Sequence, residues 1–169
     1  MNLNILFFCL ILISTVNSSD EILNSEQICV KYEVYSQSGE YLTSDCFSNE
    51  KCKYTFHPNK LVQIVDFKNE IITINTDNEE DITYTFAENF EVPDSFDVLE
   101  TPVFEIKKTD KNKEICGVLC KNLQAKYKDD IYEIWYFIPK NISADRINKY
   151  TGYEQIPGII LEISCNNEL

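Results

Sequence analysis

The chain has 169 residues, 44% of them apolar and 25% charged, with only 4 Gly and 5 Pro. A chain this apolar buries enough surface to offset the entropy of ordering it, which excludes collagen-like, low-complexity and disordered classes, and its length suits one domain of ordinary size. The formal charge is −13, and no basic run is longer than Lys107-Lys108. Nucleic acid is therefore not an expected partner, since phosphate binding needs basic side chains that release counterions; the same charge disfavours docking on anionic lipid headgroups.

Residues 1–18 carry no charged side chain, and Ile5 to Ile13 is an unbroken apolar run followed by Ser14, Thr15, Val16, Asn17 and Ser18. Nine apolar residues are too few to span a bilayer, which takes about 20, but they suit the core of a secretory leader, about 7–15. The expectation is a signal peptide over 1–18, cut after Ser18, with Val16 and Ser18 at the small-residue positions. The alternative is a buried N-terminal strand or helix. Residues 19–169 are then one secreted or extracellular domain with no integral membrane segment.

Export changes the reading of the cysteines. Cys9 leaves with the leader, while Cys29, Cys46, Cys52, Cys116, Cys120 and Cys165 stay. Six is even, and in an oxidising compartment three disulfides are the default. Cys116 and Cys120 read as members of one strand, where four residues at about 3.3 Å each separate them by about 13 Å, beyond the reach of about 7 Å for a disulfide. They should pair outward. Cys46 and Cys52 bracket the polar turn Ser48-Asn49-Glu50-Lys51 and are expected to close a hairpin, which leaves Cys29 and Cys165 as partners for Cys116 and Cys120. A zinc site around Cys116 and Cys120 would need two more closely spaced ligands, and the only His is His57. No metal and no cofactor is expected.

The body of the chain alternates with period two. Val30, Tyr32 and Val34 oppose Lys31 and Glu33; Cys52, Tyr54 and Phe56 repeat the pattern, as do Ile82, Tyr84 and Phe86, with Thr83 and Thr85 between them. Leu123, Ala125 and Tyr127 alternate with Gln124, Lys126 and Lys128, and Tyr132, Ile134 and Tyr136 follow. This predicts antiparallel strands with one wet face. Residues 61–67, 70–76 and 159–163 are more continuously apolar and read as central strands, with hairpin turns at Lys68-Asn69 and over 77–81. Residues 88–102 read as a long loop. The only helix expected is a short one over 143–150, with Ser143 as N-cap and Asp145 in its first turn. The fold class is thus mainly β: an antiparallel curved sheet or half-open barrel with one short helix, braced by disulfides.

Near the C-terminus, Gln155-Ile156-Pro157-Gly158-Ile159-Ile160-Leu161-Glu162-Ile163 resembles the hallmark of the GLPGLI family, in which Gly-Leu-Pro-Gly-Leu-Ile runs into a strand. Upstream, Ile115-Cys116-Gly117-Val118-Leu119-Cys120-Lys121 is similar to that family's Ile-x-Gly-Tyr-x-Cys-Lys strand, and Trp135-Tyr136 to its Trp-Tyr. The likeness covers about Ile115 to Ile163. Gln155 stands in place of the first Gly of the hallmark, Ile156 and Ile159 in place of Leu, and Val118 in place of the Tyr. The resemblance implies an exported, mostly antiparallel β protein related in shape to the half-open barrels of periplasmic lipoprotein carriers. Pro157-Gly158 suits the centre of a type II turn feeding a core strand, where Pro presets the first φ and Gly accepts a positive φ at the second.

Catalytic chemistry is not expected. His57 precedes Pro58, no Gly-x-Ser-x-Gly is present, and the thiols are expected to be oxidised, so a nucleophile with a paired base is hard to assemble. Asp77, Glu79, Asp81 and Glu88 match acidic positions of a calcium loop, but Ile82 stands where the template needs Gly for its sharp bend. Asn141-Ile142-Ser143 is an acceptor sequon for a glycan on Asn141 in a eukaryotic host. Two functions are expected of such a chain. In one, Tyr54, Phe56, Tyr84, Phe86, Trp135 and Phe137 line a concave face that carries a lipid or other hydrophobic ligand. In the other, the same aromatics only fill the core of a disulfide-stabilised module that binds a protein partner.

Overall fold

The computed structural model describes residues 6–10, 25–36, 39–56, 61–76, 79–86, 103–149, 151 and 153–165. These form strands β1 (Leu6–Leu10), β2 (Gln27–Ser36), β3 (Gly39–Ser48), β4 (Lys51–Phe56), β5 (Leu61–Asp66), β6 (Ile71–Thr76), β7 (Glu79–Thr85), β8 (Glu105–Ile115), β9 (Val118–Tyr127), β10 (Asp130–Phe137) and β11 (Ile159–Cys165). All pairings are antiparallel. The first sheet runs β1 to β7 in chain order and the second runs β11-β10-β9-β8, so each strand lies beside its neighbour in sequence, the arrangement that short polar turns favour. The antiparallel, mainly β expectation holds.

Turn chemistry explains several joints. Between β8 and β9 the chain reverses in two residues, Cys116 at φ 50° and Gly117 at φ 78°. Positive φ at both positions is the geometry whose twist matches a hairpin. Cys116 therefore sits in a turn and not in the strand expected for it. Between β5 and β6, residues 67–70 form the turn expected around Lys68-Asn69, closed by Glu70 at φ 55°. Asp77 and Asn78, all of residues 87–102, and the His57-Pro58 pair lie outside the described residues.

The core lies between the two sheets. From the first come Ile28, Val30, Tyr32, Phe47, Cys52, Tyr54, Val65 and Phe67; from the second, Val118, Cys120, Trp135, Phe137, Ile159 and Leu161. Along β4 the period is two, with Cys52 and Tyr54 buried and Lys51 and Lys53 exposed. The second sheet departs from the expectation of one wet face. Leu123, Ala125, Ile134, Tyr136, Ile160 and Ile163 form a separate buried cluster with Ile156, against which Phe104, Tyr132 and Tyr153 pack. Its rings meet at Phe104, which stacks on Tyr153 with centroids 5.9 Å apart and meets Tyr132 edge-on at 6.0 Å. Because both faces are covered, Ile134 to Phe137 are buried without a break, as expected of a strand enclosed on both sides.

Three placements correct the sequence reading. Residues 61–67 and 70–76 do supply central strands, but the 159–163 segment becomes β11, an outer strand of its sheet, with β1 lying against it. The helix expected over 143–150 reduces to a 3-10 turn over Ala144–Arg146. Ser143 makes no side-chain bond to the helix backbone and its hydroxyl binds the Asp145 carboxylate instead. Ile142 and Ile147 both enter the core, while Asn148 takes φ 58°, which ends any helical run. Arg146 lies over the Phe67 ring at 4.5 Å and fastens this connector to the first sheet.

The third correction concerns the disulfides. Among the described residues the bridge is Cys29–Cys46, whose Cα atoms lie 4.0 Å apart because the two residues are direct cross-strand partners in β2 and β3. Cys46 stands opposite Lys53, so Cys52, one position away, points to the other face of the sheet and into the core. The Cys46–Cys52 hairpin pairing is thereby overturned, and Cys29 has no sulfur left for Cys116 or Cys120. Cys52, Cys116, Cys120 and Cys165 carry thiols. Cys116 sits at the β8–β9 turn, beside Val118, whereas Cys165 pairs with Tyr132, itself opposite Ala125. From Val118 to Ala125 is about 23 Å of strand, which keeps these two apart.

Candidate functional site

Of the six aromatics expected to line a cavity, Tyr54, Trp135 and Phe137 are buried in the core between the sheets. Tyr54 meets Phe47 edge-on at 5.8 Å. Its hydroxyl faces the Cys52 thiol and finds no oxygen or nitrogen partner among the described residues. Trp135 lies under Lys113, whose Nζ is 4.3 Å from the ring and 2.7 Å from the Glu162 carboxylate. That pair straps the second sheet from β8 to β11. Phe86 packs against the same core, edge-on to Phe67 at 6.0 Å, and Tyr84 is half-buried on β7. The side chain of Phe56 lies outside the described residues. The structure thus brings four of the six to one place, and that place is packed interior.

Two thiols share this interior. Cys52 donates to the carbonyl of Arg146 at 3.3 Å and Cys120 to that of Val118 at 3.4 Å. Burial pushes both thiols up, Cys120 to about 11. They stay protonated at neutral pH, which removes the thiolate needed for nucleophilic attack.

Concavity occurs elsewhere, on the outer face of the first sheet. A half-open groove of about 590 Å³ runs beside the disulfide, lined by Cys46 and polar residues that include Glu50, Lys51, Lys53, Asp66 and Lys68. The β5–β6 turn shapes it. Asp66 accepts from the backbone N–H of Lys68 at 3.1 Å and of Asn69 at 3.0 Å, from the Asn69 amide at 3.1 Å, and from Lys51 Nζ at 3.1 Å. The Asn69 N–H leads the effects that hold its carboxyl down to about 2. On the far side, Ser48 closes the β3–β4 turn by accepting from the Lys51 N–H at 3.0 Å and donating to its carbonyl at 2.8 Å. Three lysines against two acids make this a locally cationic recess on an acidic chain, suited to hydrogen bonding and ion pairing. Sequence reading did not find it, and the signal available was Asp66 three residues before Asn69, the pattern of a side-chain-capped turn.

A second polar arrangement sits where β3 and β4 part. Their backbones pair only at Cys46 and Lys53, and beyond that point side chains replace the ladder. Thr43 donates to the Thr55 carbonyl at 2.6 Å and Asp45 accepts from the Thr55 N–H at 3.0 Å. Asp45 is the cross-strand partner of the buried Val30. Desolvation pushes its carboxyl up to about 7, against the pull of the Thr55 N–H.

The remaining expected residues fall in the connector. Asn141 is exposed, with the Asn49 side chain donating to its carbonyl at 2.7 Å and accepting from the Ser143 N–H at 2.8 Å. In the hallmark region the tight turn lies upstream of Pro157, where the Ile156 N–H reaches the Tyr153 carbonyl at 2.9 Å. Gly158 is not at positive φ, so the type II turn expected at Pro157-Gly158 is not formed. What Gly158 supplies is absence of a side chain: a Cβ there would lie 2.2 Å from the Phe137 carbonyl oxygen. Asn148 completes the join by donating to the Gly158 carbonyl at 2.9 Å. Ile159 and Ile160 then enter opposite buried clusters. No helix among the described residues is long and apolar enough to cross a membrane. No protein-family model matches the chain, and no curated protein or solved structure matches it.

Proposed function

We propose that the chain is an exported, disulfide-stabilised interaction module that binds a protein partner and carries out no catalysis. The observation that supports this reading is the packing of Tyr54, Trp135 and Phe137 into the interior, where they do the work of a core. The leader over 1–18 supplies export, with cleavage after Ser18, and Asn141 takes a glycan if the host glycosylates. The resemblance of Ile115 to Ile163 to GLPGLI proteins, for its part, implies an exported β protein. A carrier for an apolar ligand would need those aromatics around a void.

The test compares wild type with Trp135→Asp and Phe137→Glu by thermal melts and by titration with a fluorescent fatty acid. A filled core predicts no uptake by wild type and loss of cooperative melting in both variants, since each leaves a charge in packed interior. Uptake of one fatty acid per chain, abolished in variants that still melt cooperatively, overturns the module in favour of the carrier.

A further inference from the structure

On the reading of residues 1–18 as a cleaved leader, the place between β2 and β11 is open in the mature chain. Strand β1 lies within the leader's apolar run, Ile5 to Ile13. It pairs antiparallel with β2 from Leu6 opposite Tyr35 to Leu10 opposite Lys31, and its other side lies against β11. It therefore fills a place one strand wide between β2, its neighbour in the first sheet, and β11, the outer strand of the second. The Tyr32 hydroxyl, which donates to the Ile160 carbonyl at 3.0 Å, ties β2 to β11 beneath that place.

Removal of residues 1–18 uncovers both edges at once. Exposed edges are ordinarily blunted by charge, proline or a bulge that turns the strand away. The β11 edge carries only the last of these, an irregularity at Leu161 where its register with β10 shifts: Ile159, Ile160, Leu161 and Ile163 are all buried residues, and its single charge, Glu162, is engaged by Lys113. Such an edge needs a covering strand. A second copy docking through its own β2 would bring β3 alongside and collide with β11, which lies close against the far side of the place that β1 fills.

We propose that the mature chain takes up, between β2 and β11, an extended apolar segment of a partner protein, uncharged over at least five residues and free at both edges, running antiparallel to β2. Backbone pairing gives such a complex its affinity and the alternate side chains of the guest give selectivity. The specificity of this site is for an isolated strand. A folded sheet edge is excluded by its own neighbour.

The probe is a synthetic peptide with the sequence of residues 5–12, serine in place of its cysteine and lysines added at both ends, titrated into protein that begins at Ser19. The expected result is binding of one peptide per chain, a rise in melting temperature, and slowed amide exchange over residues 31–35. A peptide carrying proline in place of the phenylalanine at position 8 should bind about tenfold more weakly or worse, since proline cannot complete the ladder. Protein that folds but takes no peptide, that binds both peptides alike, or that forms a dimer the peptide cannot displace overturns the proposal, as does protein that folds neither alone nor with peptide. The mass of the secreted chain tests the leader separately: a product that retains Met1 defeats the export reading while the peptide titration still reports on the slot.

Discussion

Asp45 is a carboxyl held inside a sheet to accept one backbone N–H, and its position has a consequence for pH. With the folded value near 7 and the unfolded value near 4, the unfolded chain gives up this proton first as pH rises. Between about pH 4 and 7 this group binds more protons in the folded state than in the unfolded, so its contribution to stability falls with rising pH across that window and is flat on either side. Urea titrations of wild type at pH 4.5 and 7.5 should show the higher midpoint at 4.5. In Asp45→Asn, which keeps the acceptor for Thr55 and loses the charge, the difference between the two pH values should shrink; an unchanged difference would assign the effect to other groups. Neither Asp45 nor its partner strand announced this in the sequence, because a single Asp among 28 acidic residues carries no sign of burial. The break in the β3–β4 ladder that calls on it is a property of two strands together.

At the scale of elements, legibility follows environment. Strands β5 and β6, central in their sheet, were marked by continuous apolar runs, and β4 by strict alternation. Strand β8 was not legible: Glu-Ile-Lys-Lys-Thr-Asp-Lys-Asn-Lys-Glu-Ile is polar on both faces because it is an edge strand, and it is kinked where its register shifts between Lys108 and Asn112. There Thr109 donates to the Asn122 side chain at 2.7 Å and accepts from the Lys111 N–H at 3.2 Å. The approach to β11 shows the converse, a motif whose place was legible and whose reason was not. Pro-Gly suggests a turn, yet Gly158 is required by the closeness of the Phe137 carbonyl. Gly158→Ala should therefore cost about 1–3 kcal/mol, the range for forcing a methyl into a packed site, read as a fall in urea midpoint. A neutral substitution would show that the backbone of β10 can withdraw.

For the whole molecule, the legible part was the class and the pairing of neighbours in sequence, which short turns and period two impose together. The illegible part was which strands face each other across the core. That choice decides the cysteines: alternation along β3 and β4 sends Cys46 outward and Cys52 inward, a distinction that counting residues between them does not capture. One outcome of it is useful in its own right. Cys52 belongs to the first sheet and Cys120 to the second, and both are closed off by the same interior. Neither reacts with a thiol reagent until the layers separate, so their labelling times how often the two halves of the molecule come apart. If the halves part as a unit, Cys52 and Cys120 should be modified at a common rate, far slower than Cys116 at its exposed turn. Unequal rates would mean that one layer frays while the other holds, giving the molecule two lifetimes instead of one.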